Sequence, residues 1–436
     1  MPGQKVTARQ LALRVLMRCE KSGGYSPIVL DTALSRSELD TKDRALATAL
    51  VTSVISHKIT LDYIIGRLSD IPEEKTEPET RNILRLGLCQ LRYFDRIPAH
   101  AAVNESVALA PHRSAGFVNA ILRSYLRLKG ELALPDDTME RLSVMYSVDR
   151  LVAEEFVAAY GYEKTASILR AFAEPPRLSL RVNTLKTDRD SLVSRLGEGA
   201  RASDLSPCGI TLDGGSVTSL PGFEGGEFFV QDTASQLCTA AVGGESFSGG
   251  LFIDSCAAPG SKSFGVAIDM KNRGRVLSFD LHENKLSLVA ESAARLGIDI
   301  IKPEKADGRG FIGGLSETAD AVLCDVPCSG YGVLAKKPEI RYKSPEVCAA
   351  LPDIQYAILK NCSRYVKKGG VLVYSTCTLL PRENEENARR FLSEFGELYA
   401  PEDFCVNGRT YNAFTTLFPD TDGTDGFFIA KFRRKQ

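Results

Sequence analysis

Two cysteines occupy matching places in the sequence, and they are the residues best suited to covalent chemistry. Cys328 follows the strand signal Ala321-Val322-Leu323-Cys324 within Asp325-Val326-Pro327-Cys328-Ser329-Gly330. Cys377 follows Val371-Leu372-Val373-Tyr374 within Ser375-Thr376-Cys377-Thr378. The thiolate is the nucleophile, and a free thiol is only a few per cent ionised at neutral pH. Each cysteine therefore needs a cation or hydrogen-bond donors beside it, and Lys262, Lys336, Lys337 and nearby backbone N–H groups are the candidates. An arbitrary pair of cysteines is usually two inert, buried side chains. Their placement at the ends of two strands, beside Asp325, favours a shared pocket.

A second group of residues has the types a nucleoside needs. Leu251-Phe252-Ile253 reads as a buried strand ending in Asp254-Ser255-Cys256-Ala257-Ala258-Pro259-Gly260-Ser261-Lys262, and a helix signal follows. A small-residue turn between strand and helix lets a ligand approach the backbone, with the helix N-terminus aimed at it. With one glycine beside Pro259, the turn is not the G-x-G-x-x-G of a dinucleotide site. Asp280 ends the next strand, where an acid accepts from both ribose hydroxyls. Asp307 follows the third strand and is placed to accept from an adenine amino group. Asp325 ends the fourth. One acid at a strand end says little; four in succession point to a nucleoside site.

These residues need a frame. From about residue 236, strand signals at 251–254, 275–280, 299–303, 320–325, 370–375 and 427–432 alternate with helix signals at 261–271, 283–296, 345–366 and 384–395. That alternation predicts a parallel, doubly wound α/β sheet of Rossmann-like type, whose ligands bind beyond the carboxyl ends of its strands. Residues 1–135 read instead as an all-α bundle, with breakers at Gly23-Gly24, Pro72, Pro98 and Pro111. Within it Arg81, Arg85, Arg92 and Arg96 recur at helical spacing, as a phosphate-facing stripe or a solvated helix face. Residues 136–235 read as a helical linker followed by a small α/β subdomain.

Composition limits the partners. The net charge of −1 divides into +6 over residues 1–130 and −7 over the rest, a modest sign of a polyanion partner for the N-terminal third. Eleven scattered cysteines without a C-x-x-C, and four histidines, argue against a zinc site. No apolar run reaches membrane-span length, and Met1-Pro2-Gly3-Gln4-Lys5 has no signal-peptide character, so a cytoplasmic protein is expected.

Four stretches resemble the RNA cytosine-5 methyltransferases that use S-adenosylmethionine, and within them the Sun/Fmu group. They are Cys256 to Lys262, Asp325 to Gly330, Tyr374 to Thr378 with Pro381-Arg382-Glu383-Asn384-Glu385, and Gln231-Asp232-Thr233-Ala234-Ser235. Arg85 to Leu88, Arg96 to Glu105 and Phe117 to Arg123 resemble the NusB-like RNA-binding domain of that group. The resemblance implies a methyltransferase acting on a single-stranded or flipped cytosine of small-subunit ribosomal RNA; a monomer without a metal is expected. It implies that Cys256, Ala257, Ala258, Pro259, Gly260, Ser261, Lys262, Asp280, Asp307 and Asp325 hold S-adenosylmethionine. It implies Cys377 as nucleophile and Cys328 assisting release; on chemical grounds Asp325 is expected to bond the N3 edge of the base. Three positions depart from the pattern: Ser261 where a second glycine is usual, Lys336 where arginine is common, and Ser147-Val148-Asp149 in place of Ser-His-Pro. Other readings are action on another RNA such as tRNA, DNA-type chemistry with Cys328 attacking, and a non-catalytic RNA-binding assembly factor.

Overall fold

The computed structural model describes residues 6–21, 27–128 and 133–436; Gly23-Gly24 and Met1–Lys5 lie outside the described residues. The chain forms two compact units. One holds Met1–Leu169 together with Leu334–Ser344, the other Arg170–Val333 and Pro345–Gln436.

The first unit contains nine whole α-helices among the described residues, from Ala8–Lys21 to Arg150–Tyr160, and most of a tenth, Tyr162–Ala173. Asp40, Asp137 and Asp149 each cap a helix by accepting a backbone N–H of its first turn. Pro78 opens the helix Pro78–Tyr93, where its missing N–H costs nothing. That helix is the centre of the bundle: Asn82 to Gln90 are all buried, against Leu50, Leu61 and Ile64 of neighbouring helices. Arg85 lies in this buried run. Its Nε and Nη2 donate to the two oxygens of Asp62 at 2.6 and 2.8 Å, and its Nη1 to Asn82 at 3.2 Å. A buried guanidinium must be paired, and this fork is filled.

Leu334–Ser344 belongs to the helical unit through side chains. The Tyr342 hydroxyl donates to the Ile55 carbonyl and accepts from the Lys58 N–H at 3.0 Å. Arg341 Nη1 donates to the Tyr146 carbonyl at 2.8 Å, and the Arg341 carbonyl accepts from the Asp149 N–H at 2.7 Å.

In the second unit, β1 (Leu178–Val182), β2 (Ala200–Ala202), β3 (Gly209–Leu212) and β4 (Phe228–Val230) make an antiparallel sheet in the order β2-β3-β1-β4. The larger sheet begins with β5 (Leu251–Asp254), β6 (Arg275–Asp280), β7 (Ile301–Lys305), β8 (Ala319–Asp325) and β9 (Val366–Thr376). These five are parallel, in the order β9-β8-β5-β6-β7. The order reverses at β5, which leaves a crevice beyond the carboxyl ends of β5 and β8.

The sheet is mixed, not wholly parallel as the alternation of elements predicts. After β10 (Tyr399–Pro401), β11 (Phe404–Val406), β12 (Arg409–Tyr411) and β13 (Phe414–Leu417), the last strand β14 (Phe427–Arg434) runs antiparallel to β9. β10 and β13 pair antiparallel with β14. The cause is in the connection: from β9 the chain passes through the helix Glu385–Phe395 and returns along β10 and β13, so β14 enters from the opposite end. Its run Phe427 to Phe432 is buried, as an interior strand requires.

Candidate active site

The register of β8 and β9 explains why the two cysteines meet. Asp325 pairs with Ser375, so the chain reaches Cys328 and Cys377 a few residues beyond one shared level. Their sulfurs lie 3.0 Å apart, and both side chains are half-buried. The loops are tied again at the next position, where the Ser329 and Thr378 hydroxyls are 2.7 Å apart. Beyond them, the Gly332 N–H donates to the Cys377 carbonyl at 2.9 Å and the Gly426 N–H to the Gly332 carbonyl at 2.8 Å.

The Cys328 thiol is pushed well above the ordinary cysteine range, first by its hydrogen bond with Cys377, then by burial, then by the charges of Cys377 and Glu383. One contact opposes this, the Cys377 N–H reaching Cys328 Sγ at 3.3 Å, but the net direction is up. Either sulfur can be the donor in the S–H···S contact.

Asp325 carries two short bonds: Ser375 Oγ donates to Oδ1 at 2.7 Å and Lys262 Nζ to Oδ2 at 2.6 Å. Burial alone would lower the Lys262 ammonium, but Asp325 and the charges of Cys238 and Cys377 outweigh it, so it stays charged. Its Nζ also lies 5.2 Å from the centre of the Phe427 ring. Lys262 is thus the cation of this site. Lys336 and Lys337, expected from the sequence to serve the thiols, fall in Leu334–Ser344 of the helical unit. They entered that expectation because they follow Cys328 closely, and sequence distance says nothing of which unit a segment joins.

The loop after β5 is shaped by its small residues. The Ala257 N–H donates to the Phe279 carbonyl at 2.7 Å, and the Ala258 N–H to Asp280 Oδ2 at 3.2 Å. Asp280 Oδ1 accepts from the His282 N–H at 2.9 Å. Gly260 has φ 107°, and a Cβ there would lie 2.4 Å from the Phe264 ring. The helix Ser261–Asp269 that follows has no side-chain cap at its amino end. An open helix N-terminus, a loop whose backbone is bare at Gly260, and Asp280 at the end of the neighbouring strand suit a nucleoside with a carboxylate-bearing chain. Gln231 holds the loop from outside, donating to the Ser261 carbonyl at 3.1 Å. Asp307 follows β7, where Arg309 donates to both its oxygens and keeps its carboxyl below the ordinary range. Cys256 is pushed far up by burial and is unsuited to act as a nucleophile.

Asp254 has a role the sequence did not disclose. It is 1% exposed; Oδ2 accepts from Ser263 Oγ at 2.7 Å, and Oδ1 has no partner among the described residues. Burial raises its carboxyl from the ordinary 3.8 to about 7. A carboxyl raised by folding binds its proton more tightly when folded, so stability falls as pH climbs from about 4 to about 7. Asp254→Asn is expected to raise the melting temperature at pH 8 by several degrees, and the gain should shrink as the pH is lowered towards 4. Thermal unfolding across that range checks it; a gain independent of pH would contradict the assignment.

In the helical unit the four arginines do not make one stripe. Arg85 is buried on Asp62, Arg81 pairs with Glu20 at 2.5 Å, and Arg92 donates to the Tyr93 and Tyr125 hydroxyls. A different set faces solvent: Arg14, Arg18 and Lys21 of the first helix are exposed, without an ion-pair partner among the described residues. They line a groove of about 500 Å³ with Glu79. Their spacing of four and three residues was a signal present in the sequence.

No group of three or more His, Cys, Asp or Glu suited to a metal occurs among the described residues, and no helix there is long and apolar enough to cross a membrane.

A helical bundle and a mixed α/β sheet with a thiol pair at its strand ends are the frame of a methyltransferase that uses S-adenosylmethionine. The family described as 16S rRNA methyltransferase RsmB/F matches residues 246–433, the NusB family residues 6–127, and the ferredoxin-like domain of RsmF/B-like methyltransferases residues 151–218. A probable ribosomal RNA small subunit methyltransferase B of Bacillus subtilis is 37% identical, over 99% of this chain and 100% of its own. The crystal structure of PH0851 superposes with TM-score 0.77 at 23% identity, covering 97% of this chain and 98% of that one. NSun6 from Pyrococcus horikoshii, solved with SFG, gives 0.57 at 22% identity, covering 70% and 99%; both likenesses concern the fold. The chain belongs to the RsmB/F family and is an S-adenosylmethionine-dependent RNA methyltransferase.

Proposed function

We propose that the protein methylates carbon 5 of a cytosine in small-subunit ribosomal RNA through a covalent adduct with Cys377, as a cytoplasmic enzyme. The observation that carries this reading is the thiol pair 3.0 Å apart with unequal surroundings. Lys262 brings a positive charge that Cys377 shares, and Glu383 a negative one that Cys328 shares. A cation beside a thiol favours its thiolate. This favours Cys377 as nucleophile over DNA-type attack by Cys328.

Carbon 5 of cytosine is a poor nucleophile until a thiolate adds to carbon 6. S-Adenosylmethionine supplies an electrophilic methyl group when bound. Cys377 forms the sulfur–carbon 6 bond, and the electron density this pushes to carbon 5 is what takes the methyl. Asp325, fixed by Ser375 and Lys262, bonds the N3 edge and stabilises the protonated ring. Loss of the carbon 5 proton to a base then lets the sulfur–carbon bond break, and the electron pair returns to Cys377. The target must be single-stranded or drawn from its stack, at a few kcal/mol. Cys256 to Lys262, Asp280 and Asp307 line the cofactor crevice in this reading.

Methylation of unmodified small-subunit ribosomal RNA, followed by nucleoside analysis, tests the function. The label is expected in 5-methylcytidine. Label in another nucleoside, or only in transfer RNA, would contradict it.

Arg14, Arg18 and Lys21 are proposed to meet RNA phosphates. Changing all three to alanine is expected to reduce the slope of log affinity against log salt by about 2, near 0.7 per lost single-strand phosphate contact. KM should rise with kcat little changed. An unaltered salt slope, measured by filter binding, would move the RNA surface elsewhere.

A further inference from the structure

We propose that Asn384 is a positioning residue that sets Cys377 for attack by gripping the chain on both sides of it. The inference deepens the reading above and rests on it.

Asn384 is fully buried and directly precedes the helix Glu385–Phe395. An asparagine in that place usually accepts an N–H of the helix's first turn. Asn384 makes no such bond. Its side chain is committed instead to the end of β9 and the loop that follows. The Thr376 hydroxyl donates to Asn384 Oδ1, and Asn384 Nδ2 donates to the Thr378 carbonyl at 2.9 Å. Thr376 and Thr378 are the two neighbours of Cys377, and both are fully buried.

The two contacts make opposite demands on one side chain. One needs an acceptor for a hydroxyl, the other a donor for a carbonyl. A primary amide supplies both, aspartate lacks the donor, and leucine lacks both. A buried amide that leaves its helix uncapped must find its partners elsewhere. Asn384 finds them on the residues beside the nucleophile. Ser375, Thr376 and Thr378 are then each held by a side-chain bond, to Asp325, Asn384 and Ser329. Cys377 sits among them with its sulfur against that of Cys328. A sulfur that attacks a ring carbon must be aimed, and a displacement near 1 Å costs about 100-fold in rate. Asn384 touches no reacting atom; it acts through Thr376 and Thr378.

The test uses the full chain with small-subunit RNA carrying 5-fluorocytidine and S-adenosylmethionine. The variants are Asn384→Ala, Thr376→Val, Thr376→Ser and Tyr399→Phe. For each, the single-turnover rate of denaturation-resistant adduct is measured, with the affinity for S-adenosylmethionine and the melting temperature. Tyr399→Phe is the structural control: it removes a buried hydroxyl bond, to the Ser363 carbonyl at 2.6 Å, from β10, two strands away from β9. The proposal predicts adduct formation about 100-fold slower in Asn384→Ala and about tenfold slower in Thr376→Val, with Thr376→Ser, which keeps the hydroxyl, near wild type. Affinity for S-adenosylmethionine should change by less than about twofold throughout, so the loss falls on attack and not on cofactor binding. Adding Thr376→Val to Asn384→Ala should slow the reaction no further, because the shared contact is already gone. Should Asn384→Ala not fold, Thr376→Val against Thr376→Ser decides. If Thr376→Val behaves as Tyr399→Phe does, with a lower melting temperature and its adduct rate kept, the grip is only structural and the proposal is overturned. An adduct rate that falls only in step with cofactor affinity overturns it too. If wild type methylates ordinary RNA but forms no adduct, the covalent reading fails and takes this inference with it.

Discussion

Lys262→Met is expected to slow methyl transfer by on the order of 10²–10³-fold, the scale seen when one preorganised electrostatic group is removed from an active site. Lys262 is 9% exposed and donates to Asp325 at 2.6 Å. Its loss acts twice. Asp325 keeps its bond from Ser375 but loses its counter-ion, so its bond to the base is misaligned and its own charge is uncompensated. Cys377 loses the cation whose field favours its thiolate. Stability should fall too, because breaking a buried pair from one side costs about 3–5 kcal/mol where burial is complete, and less here because the Asp325 side chain is 26% exposed. Lys262→Arg separates charge from shape: with the charge kept, part of the rate should return. Single-turnover kinetics with a melting curve distinguishes this from simple unfolding; a rate within threefold of wild type in Lys262→Met would contradict the electrostatic role.

Gly332→Ala is expected to be at least as damaging, for a steric reason. A Cβ at this position would lie 1.8 Å from the Gly426 carbonyl oxygen and 2.8 Å from that of Cys377. Both are backbone atoms and cannot rotate away. Either the loop carrying Cys328 or the one preceding β14 must move, and the bonds joining Gly332 to Cys377 and Gly426 are lost. Overpacking usually costs 1–3 kcal/mol, and a backbone clash lies at or above the top of that range. Turnover should fall by more than about 100-fold, since a displacement near 1 Å suffices for that. Gly313→Ala is the control: no atom lies within 4 Å of a Cβ there. If Gly332→Ala were as active as Gly313→Ala, the loops would be looser than the structure shows.

The sequence disclosed much of this site because its strands are buried on both faces. Val371 to Tyr374, Ala321 to Cys324 and Phe252-Ile253 read as strands through continuous apolar runs, and the chemistry stands where those runs end. What it hid was partnership. Arg85 at helical spacing looked like a surface residue, yet Pro78–Tyr93 is the central helix of its bundle and buries that face as well. Lys262, the second residue of the helix after the first loop, supplies the charge at the thiols, and only the crossing from β5 to β8 brings it to Asp325. Glu383 was visible as part of a motif, but its contact with Ser329 spans 54 positions. The hairpin of β11 and β12 did carry a signal: Asn407 and Gly408, both at positive φ, form a two-residue turn, although each strand is only three residues long. The antiparallel entry of β14 had none, since an apolar run does not state its direction.

The most direct test of the central claim is to identify which sulfur is bonded to the base. Small-subunit RNA carrying 5-fluorocytidine, incubated with wild-type protein and S-adenosylmethionine, should stop at the adduct, because fluorine at carbon 5 cannot leave as the proton does. Digestion and mass spectrometry of the trapped species then locate the bond. Attachment at Cys377 is the predicted result; attachment at Cys328, or no adduct while ordinary RNA is still methylated, would contradict it.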